Sequence, residues 1–191
     1  MYHIKNDKRS TQSSQFIYKA LSALMEEQDF DSIRITALVK KAQVSRATFY
    51  RNFDAKIDVL TYISDQTFEG MLAYFIEYRK ENVVTRSSEF TIPFLKYFDT
   101  HSKIVEQLIQ ANRQDILSNS LKKLFETFHN QLKKTADSPD DSWDYFVAIR
   151  AGITINILVT WIQKGKKIKP TVLGALIDKQ LKSSFTVDQF L

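Results

Sequence analysis

Apolar residues recur along most of this chain at helical spacing. Phe16, Ile17, Ala20, Leu21, Leu24 and Met25 fall at i, i+1, i+4, i+5, i+8 and i+9, a single stripe on one helix. Ser10 or Thr11, both good N-caps, sets its expected start. Asp29 to Ser32 reads as a turn, with Phe30 and Ile33 as apolar plugs beside it. A second helix is expected from Thr36 to Ala42, with Leu38, Val39 and Ala42 inward. After a break at Gln43 and Val44, Ser45 caps a third helix, Arg46 to Asn52. Phe53 ends it, and Asp54 is the expected cap of a long fourth helix from Ala55 towards Tyr78.

Beyond that point the pattern continues. Asn82 to Ser88 is polar and reads as a loop, and Pro93 suits the first turn of a further helix. Lys103 to Ala111 and Asp115 to Lys134 are amphipathic. Asp137 to Asp141, with Pro139, is a linker. Ser142 to Lys164 is the most apolar helix, with Gly165 as its stop, and Pro170 opens a last helix running to Ser183. About nine helices result. Four glycines and three prolines are too few turn residues for a β-rich fold. The expected class is all-α, with a three-helix domain over residues 1–54 and a helical domain over 55–191.

Composition narrows the picture. The 191 residues suffice for a real core, and the absence of cysteine removes disulfides and thiolate zinc sites, which fits a cytoplasmic protein. Met1 to Gln15 is polar and does not read as a secretory signal. The most apolar stretch, Tyr145 to Ile162, is interrupted by Arg150, Thr154, Asn156 and Thr160, so no membrane association is expected. The net charge of +5 is unevenly placed. Residues 1–56 hold ten Lys/Arg against six Asp/Glu, and residues 57–191 hold seventeen against sixteen. An N-terminal unit that meets a polyanion would carry such an excess, as would a merely solvated basic face.

The second and third helices have helix-turn-helix spacing. If Phe49 points inward, Phe53 lies one turn on, on the same face. Ala47, Thr48, Tyr50 and Arg51 then point outward. Small residues permit close approach to a major groove, and the polar ones supply donors for base edges and phosphates. Ser45 serves as an N-cap and is a candidate phosphate contact. Tyr50 reads either as a half-buried aromatic or as a DNA contact. Arg46 and Arg51 read either as surface charges or as DNA contacts. Lys56 at the start of the fourth helix opposes the helix dipole, a cost that a nearby phosphate would offset.

The run from Ile35 to Phe53, and most specifically Val44-Ser45-Arg46-Ala47-Thr48-Phe49-Tyr50 followed by Phe53 and Lys56, resembles the DNA-binding segment of the TetR family of bacterial transcriptional regulators. The close resemblance covers about residues 10–62. Three positions depart from the family pattern: Gln43 and Asp29 stand where glycine is usual, and Arg34 where a capping Thr is common. A positive φ at Gln43 would strain that turn. Arg34 adds a candidate phosphate contact, and Thr36 beside it is a further candidate.

The resemblance implies a homodimer on a two-fold double-stranded DNA operator, with the last two helices of each chain forming a four-helix bundle. The apolar residues of Ser142–Lys164 cover most of its circumference, which independently calls for burial on more than one side. Ile153, Ile157, Trp161, Leu176 and Leu181 are the expected interface contributors. The resemblance further implies a repressor controlled by a small-molecule effector, or by a protein in its place. The effector shifts the fourth helix and so changes the separation of the recognition helices. Phe68, Phe94, Tyr97, Phe98, Phe125 and Phe128 are candidate pocket residues, with simple core packing as the alternative. No cofactor or metal is expected. Catalysis is not expected either: His3, His101 and His129 lie far apart, and there is no Gly-rich phosphate loop or Gly-flanked nucleophile. An adaptor that uses the same fold to recruit a protein partner is the remaining alternative.

Overall fold

The computed structural model describes residues 1–5, 7–81, 88–132 and 142–182, and within these the side chains of 88, 89, 128–132 and 182 are outside the description. The described residues form nine α-helices and a 3-10 turn: α1 (Lys8–Glu27), the turn (Phe30–Ser32), α2 (Ile35–Lys41), α3 (Arg46–Asn52), α4 (Lys56–Glu81), α5 (Ser88–Thr100), α6 (Lys103–Gln110), α7 (Gln114–Leu132), α8 (Trp143–Gln163) and α9 (Pro170–Lys182). The fold is all-α, as the periodicity predicts. The expected linker at 137–141, and the expected loop at 82–88 apart from Ser88, lie outside the described residues.

Several boundaries differ from expectation for local reasons. Asp7, rather than Ser10 or Thr11, caps α1: its carboxylate accepts from the Ser10 amide at 2.8 Å. Asp54 does not cap α4. There the Asp58 carboxylate reaches back to the Ala55 amide at 2.8 Å, while Asp54 pairs with His3 at 3.0 Å. Pro93 lies inside α5 instead of in its first turn. Three helices end in the same motif, in which the chain turns through a left-handed residue and two amides bond back to the last helical turn. At α8 the residue is Gly165 (φ 70°), with the following Lys166 at φ 54°. The bonds there run from Gly165 to Ile162 at 2.8 Å and from Lys166 to Trp161 at 2.9 Å. At α6 it is Asn112 (φ 52°), and at α2 it is Gln43 (φ 55°). The strain anticipated at Gln43 is therefore present, whereas Asp29 is extended (φ −62°) and has no need of glycine.

The buried core is continuous from Ile17 in α1 to Ile177 in α9 and crosses the α3–α4 corner at residue 54 without a break. α4 is the axle: it packs on α1, and on α5, α6 and α7. Phe16, assigned to the α1 stripe, is instead 44% exposed. α8 is long and apolar enough to cross a membrane, but here it packs on α6 and α7. Its inner face, Val147, Ala151, Leu158 and Ile162, is buried, while Tyr145, Ile149 and Ile153 on the other side face out.

Candidate DNA-binding interface

α3 is built to present one face. Ser45, extended at φ −75° and ψ 156°, caps it: Oγ accepts from the Thr48 amide at 3.0 Å and meets Thr48 Oγ1 at 2.9 Å. Phe49 and Phe53 are fully buried, with their rings 5.9 Å apart, and Phe53 continues onto Tyr62 of α4 at 6.1 Å. The same face carries Asn52, only 2% exposed. Its side chain accepts from Ser10 Oγ at 2.8 Å and donates to Ser13 Oγ at 2.9 Å. Two rings and an amide thus fix the rotation of α3 against α1 and α4.

That rotation leaves Arg46, Ala47, Tyr50 and Arg51 exposed, with Thr48 half-buried. Tyr50 meets Phe49 edge-on at 5.3 Å and is 45% exposed, so its ring rests against the buried face of α3 while part of it stays open to solvent. Arg34 and Thr36 are exposed at the start of α2, where Arg34 supplies no side-chain cap.

Lys56 behaves differently from expectation. Its ammonium donates to the carbonyls of Phe30 at 2.6 Å, Asp31 at 2.8 Å and Ile33 at 3.0 Å, and sits 4.7 Å from the Phe30 ring centroid. An ammonium has three protons, and all three are engaged. Burial lowers its pKa, with the Asp31 charge opposing. Lys56 therefore braces α4 against the 3-10 turn, and the phosphate-clamp reading gives way to this one.

An N-terminal strap, invisible to periodicity, locks the same corner. Tyr2 bridges Phe53 in antiparallel fashion, and the His3 amide donates to the Asn52 carbonyl at 2.8 Å. The Tyr2 hydroxyl then donates to Asp65 of α4 at 2.8 Å, which burial and that carboxylate together reflect in a raised tyrosine pKa. Asp65, itself 7% exposed, also accepts from Ser120 at 2.6 Å and Lys123 at 2.6 Å, both on α7. One carboxylate thus joins the strap, α4 and α7. Paired residues this far apart in sequence leave no local signature.

The C-terminal candidates separate into groups. Ile153, Leu176 and Leu181 are exposed, and Ile157 is half-buried. Trp161 is 4% exposed, and its indole N–H donates to the Ile168 carbonyl at 2.7 Å. It closes the α8–α9 corner of its own protomer while also lining the groove beside that corner. α8 and α9 flank an apolar groove of about 770 Å³ whose lining includes all five, Ile153, Ile157, Trp161, Leu176 and Leu181. Of the pocket candidates, Phe94 and Phe125 do line a cavity, of about 370 Å³, between α5, α7, α8 and α9. Phe68 and Phe98 are core, their rings 5.3 Å apart. Tyr97 stacks on His101 at 4.1 Å. Its hydroxyl would stand 2.6 Å from a Cβ at position 70, so a side chain there would displace the Tyr97 ring. The Phe128 side chain lies outside the described residues. Phe75 and Phe90 of the cavity lining fall in the aromatic-rich stretch 68–128, whereas sequence reasoning missed Phe146 and Arg150, one turn apart on α8.

Residues 17–63 match the family model for bacterial regulatory proteins of the tetR family, and residues 85–183, more than half the chain, match a transcriptional regulator C-terminal region. Among curated proteins none matches the chain. Among solved structures, the crystal structure of Lin0861 from Listeria innocua superposes with a TM-score of 0.75 over 94% of each chain, at 20% identity, a likeness of fold. The chain belongs to the TetR family of bacterial transcriptional regulators, and α2 and α3 are its DNA-binding helix-turn-helix.

Proposed function

We propose that the protein acts as a homodimeric, effector-responsive repressor that reads a two-fold DNA operator with α3. The observation that carries this reading is the outward face of α3: Arg46, Ala47, Tyr50 and Arg51 stand exposed while Phe49, Asn52 and Phe53 hold the helix rigidly from behind. Ala47 allows close approach to the groove, the arginines supply paired donors for guanine or phosphate, and Tyr50 supplies a hydroxyl for the backbone. Ser45, Thr48, Arg34 and Thr36 flank this face as backbone contacts. Lys56 serves as the brace described above.

The dimer is supported by the outward apolar side chains of α8 and α9. Ile149 is 60% exposed, Val172 57% and Leu176 51%, on neighbouring helices, which is a costly surface to leave in water. A second copy seated there pairs two recognition helices, which must lie about 34–36 Å apart to reach successive major grooves. Control by an effector is supported by the Asp65 node. A shift of α7 against α4 must either carry the strap and the α3–α4 corner with it or break hydrogen bonds to a buried carboxylate.

Selection from a pool of random duplexes tests the reading. An inverted repeat with half-sites about one helical turn apart is expected. Enrichment of no sequence at all would refute operator recognition.

A further inference from the structure

The cavity between α5, α7, α8 and α9 has a chemistry more specific than its size. Five phenylalanine rings line it, among them Phe90 and Phe94, stacked at 5.4 Å, and Phe125, 6.1 Å from Phe90. Into this wall project one cation, Arg150, and two hydroxyls, Thr91 and Thr154. Arg150 lies against the Phe146 ring, 5.5 Å from its centroid, which orients the guanidinium along the cavity edge. Among the described residues no carboxylate lines the cavity and Arg150 has no ion-pair partner. Neither threonine hydroxyl has a hydrogen bond among the described residues, although helical threonines commonly bond back to their own helix, as Thr61, Thr67 and Thr127 do here.

An unpaired guanidinium and two open hydroxyls at the margin of an aromatic cavity are complementary to one kind of molecule: a flat apolar body with a single anionic head. We propose that this cavity is a binding site for a small aromatic carboxylate, with its ring system against Phe90, Phe94 and Phe125 and its carboxylate on the Arg150 fork, flanked by Thr154. A planar guanidinium receives a carboxylate through two parallel N–H bonds, which a neutral amide head cannot match. The volume of about 370 Å³ suits a molecule of one or two fused rings. The proposal rests on the reading of the chain as effector-controlled and names the ligand class. Ile153, Ile157 and Leu181 belong both to this cavity and to the α8–α9 groove, so a bound molecule lies directly behind the surface on which a second copy would seat.

Calorimetric titration of the full chain with 1-naphthoate and, separately, with its neutral isostere 1-naphthamide tests the assignment without DNA. The wild type should bind naphthoate more tightly than naphthamide by about tenfold or more, the usual advantage of a charge-assisted pair. Arg150→Gln, at an exposed position, should keep its melting temperature, bind naphthamide as before and lose the preference for naphthoate. Thr154→Val should weaken naphthoate by a smaller factor. Equal binding of the two probes by the wild type, binding of neither, or an undiminished preference in Arg150→Gln would overturn the proposal. Because no DNA is present, such a failure leaves operator recognition standing, and a failed duplex selection leaves the cavity chemistry standing.

Discussion

Two outward faces, on α3 and on the α8–α9 pair, stand uncovered by the other described residues, and they differ in kind. The α3 face is cationic and hydroxylated, on a helix pinned by Phe49, Asn52 and Phe53. The α8–α9 face is aliphatic and aromatic, with Tyr145 73% exposed and Ile149 60%. Water solvates the first well and the second poorly. The first therefore gains from a polyanion, by releasing the ions condensed on it, and the second gains from an apolar surface of its own kind. Added salt must weaken the first association and should not weaken the second. On the proposed function the same chain carries two contacts of opposite electrostatic character, and the response to salt separates them.

The largest effect is expected where the apolar face is made charged. Ile149→Asp with Leu176→Asp should leave the protomer folded, since both residues are exposed, and weaken the dimer by on the order of 100-fold or more, because each copy would bury two carboxylates. Sedimentation velocity reads the change, and an undiminished dimer would place the interface elsewhere. On the other face, Tyr50→Ala and Arg51→Ala should each cost about 1–3 kcal/mol of operator affinity with the dimer intact. Arg51→Ala should also reduce the salt dependence by about one phosphate if it touches the backbone, and by less if it reads a base. Fluorescence anisotropy on labelled duplex distinguishes these outcomes.

Lys56 tests where the reading face ends. Lys56→Met should lower stability to urea by about 1–3 kcal/mol, as three carbonyls lose a charged donor, and leave the salt slope of DNA binding unchanged. A smaller slope at unchanged stability would restore the phosphate clamp. The smallest effect concerns the turn that sets the angle of α3. Gln43→Gly relieves a left-handed glutamine at φ 55° and should raise stability by roughly 0.5–1 kcal/mol, with operator affinity retained.

Much of this was legible in the sequence, and the exceptions share a cause. The limits of α3 and the burial of Phe49 and Phe53 followed from spacing, because a short amphipathic helix carries its packing direction in its own pattern. The strained turn at Gln43 followed instead from the family resemblance, in which glycine is usual at that position. Lys56, Trp161 and Asp65 were not legible in this way. Each is defined by a partner that the local pattern does not contain: carbonyls of a preceding turn, a carbonyl in the following loop, and side chains from α7 and the strap. The aromatic run from Phe68 to Phe128 shows the same limit. Periodicity places its rings inward but does not distinguish a filled core, at Phe68 and Phe98, from a lined cavity, at Phe94 and Phe125.

The most direct test of the two-face account follows one preparation, with its selected operator, across a series of salt concentrations, measuring DNA affinity and dimer dissociation together. The account predicts that log affinity for DNA falls linearly with log salt, with a slope of several phosphates, while the dimer holds or tightens. A DNA affinity indifferent to salt, or a dimer that dissociates in step with it, would contradict the assignment of the cationic face to DNA and the apolar face to the second copy.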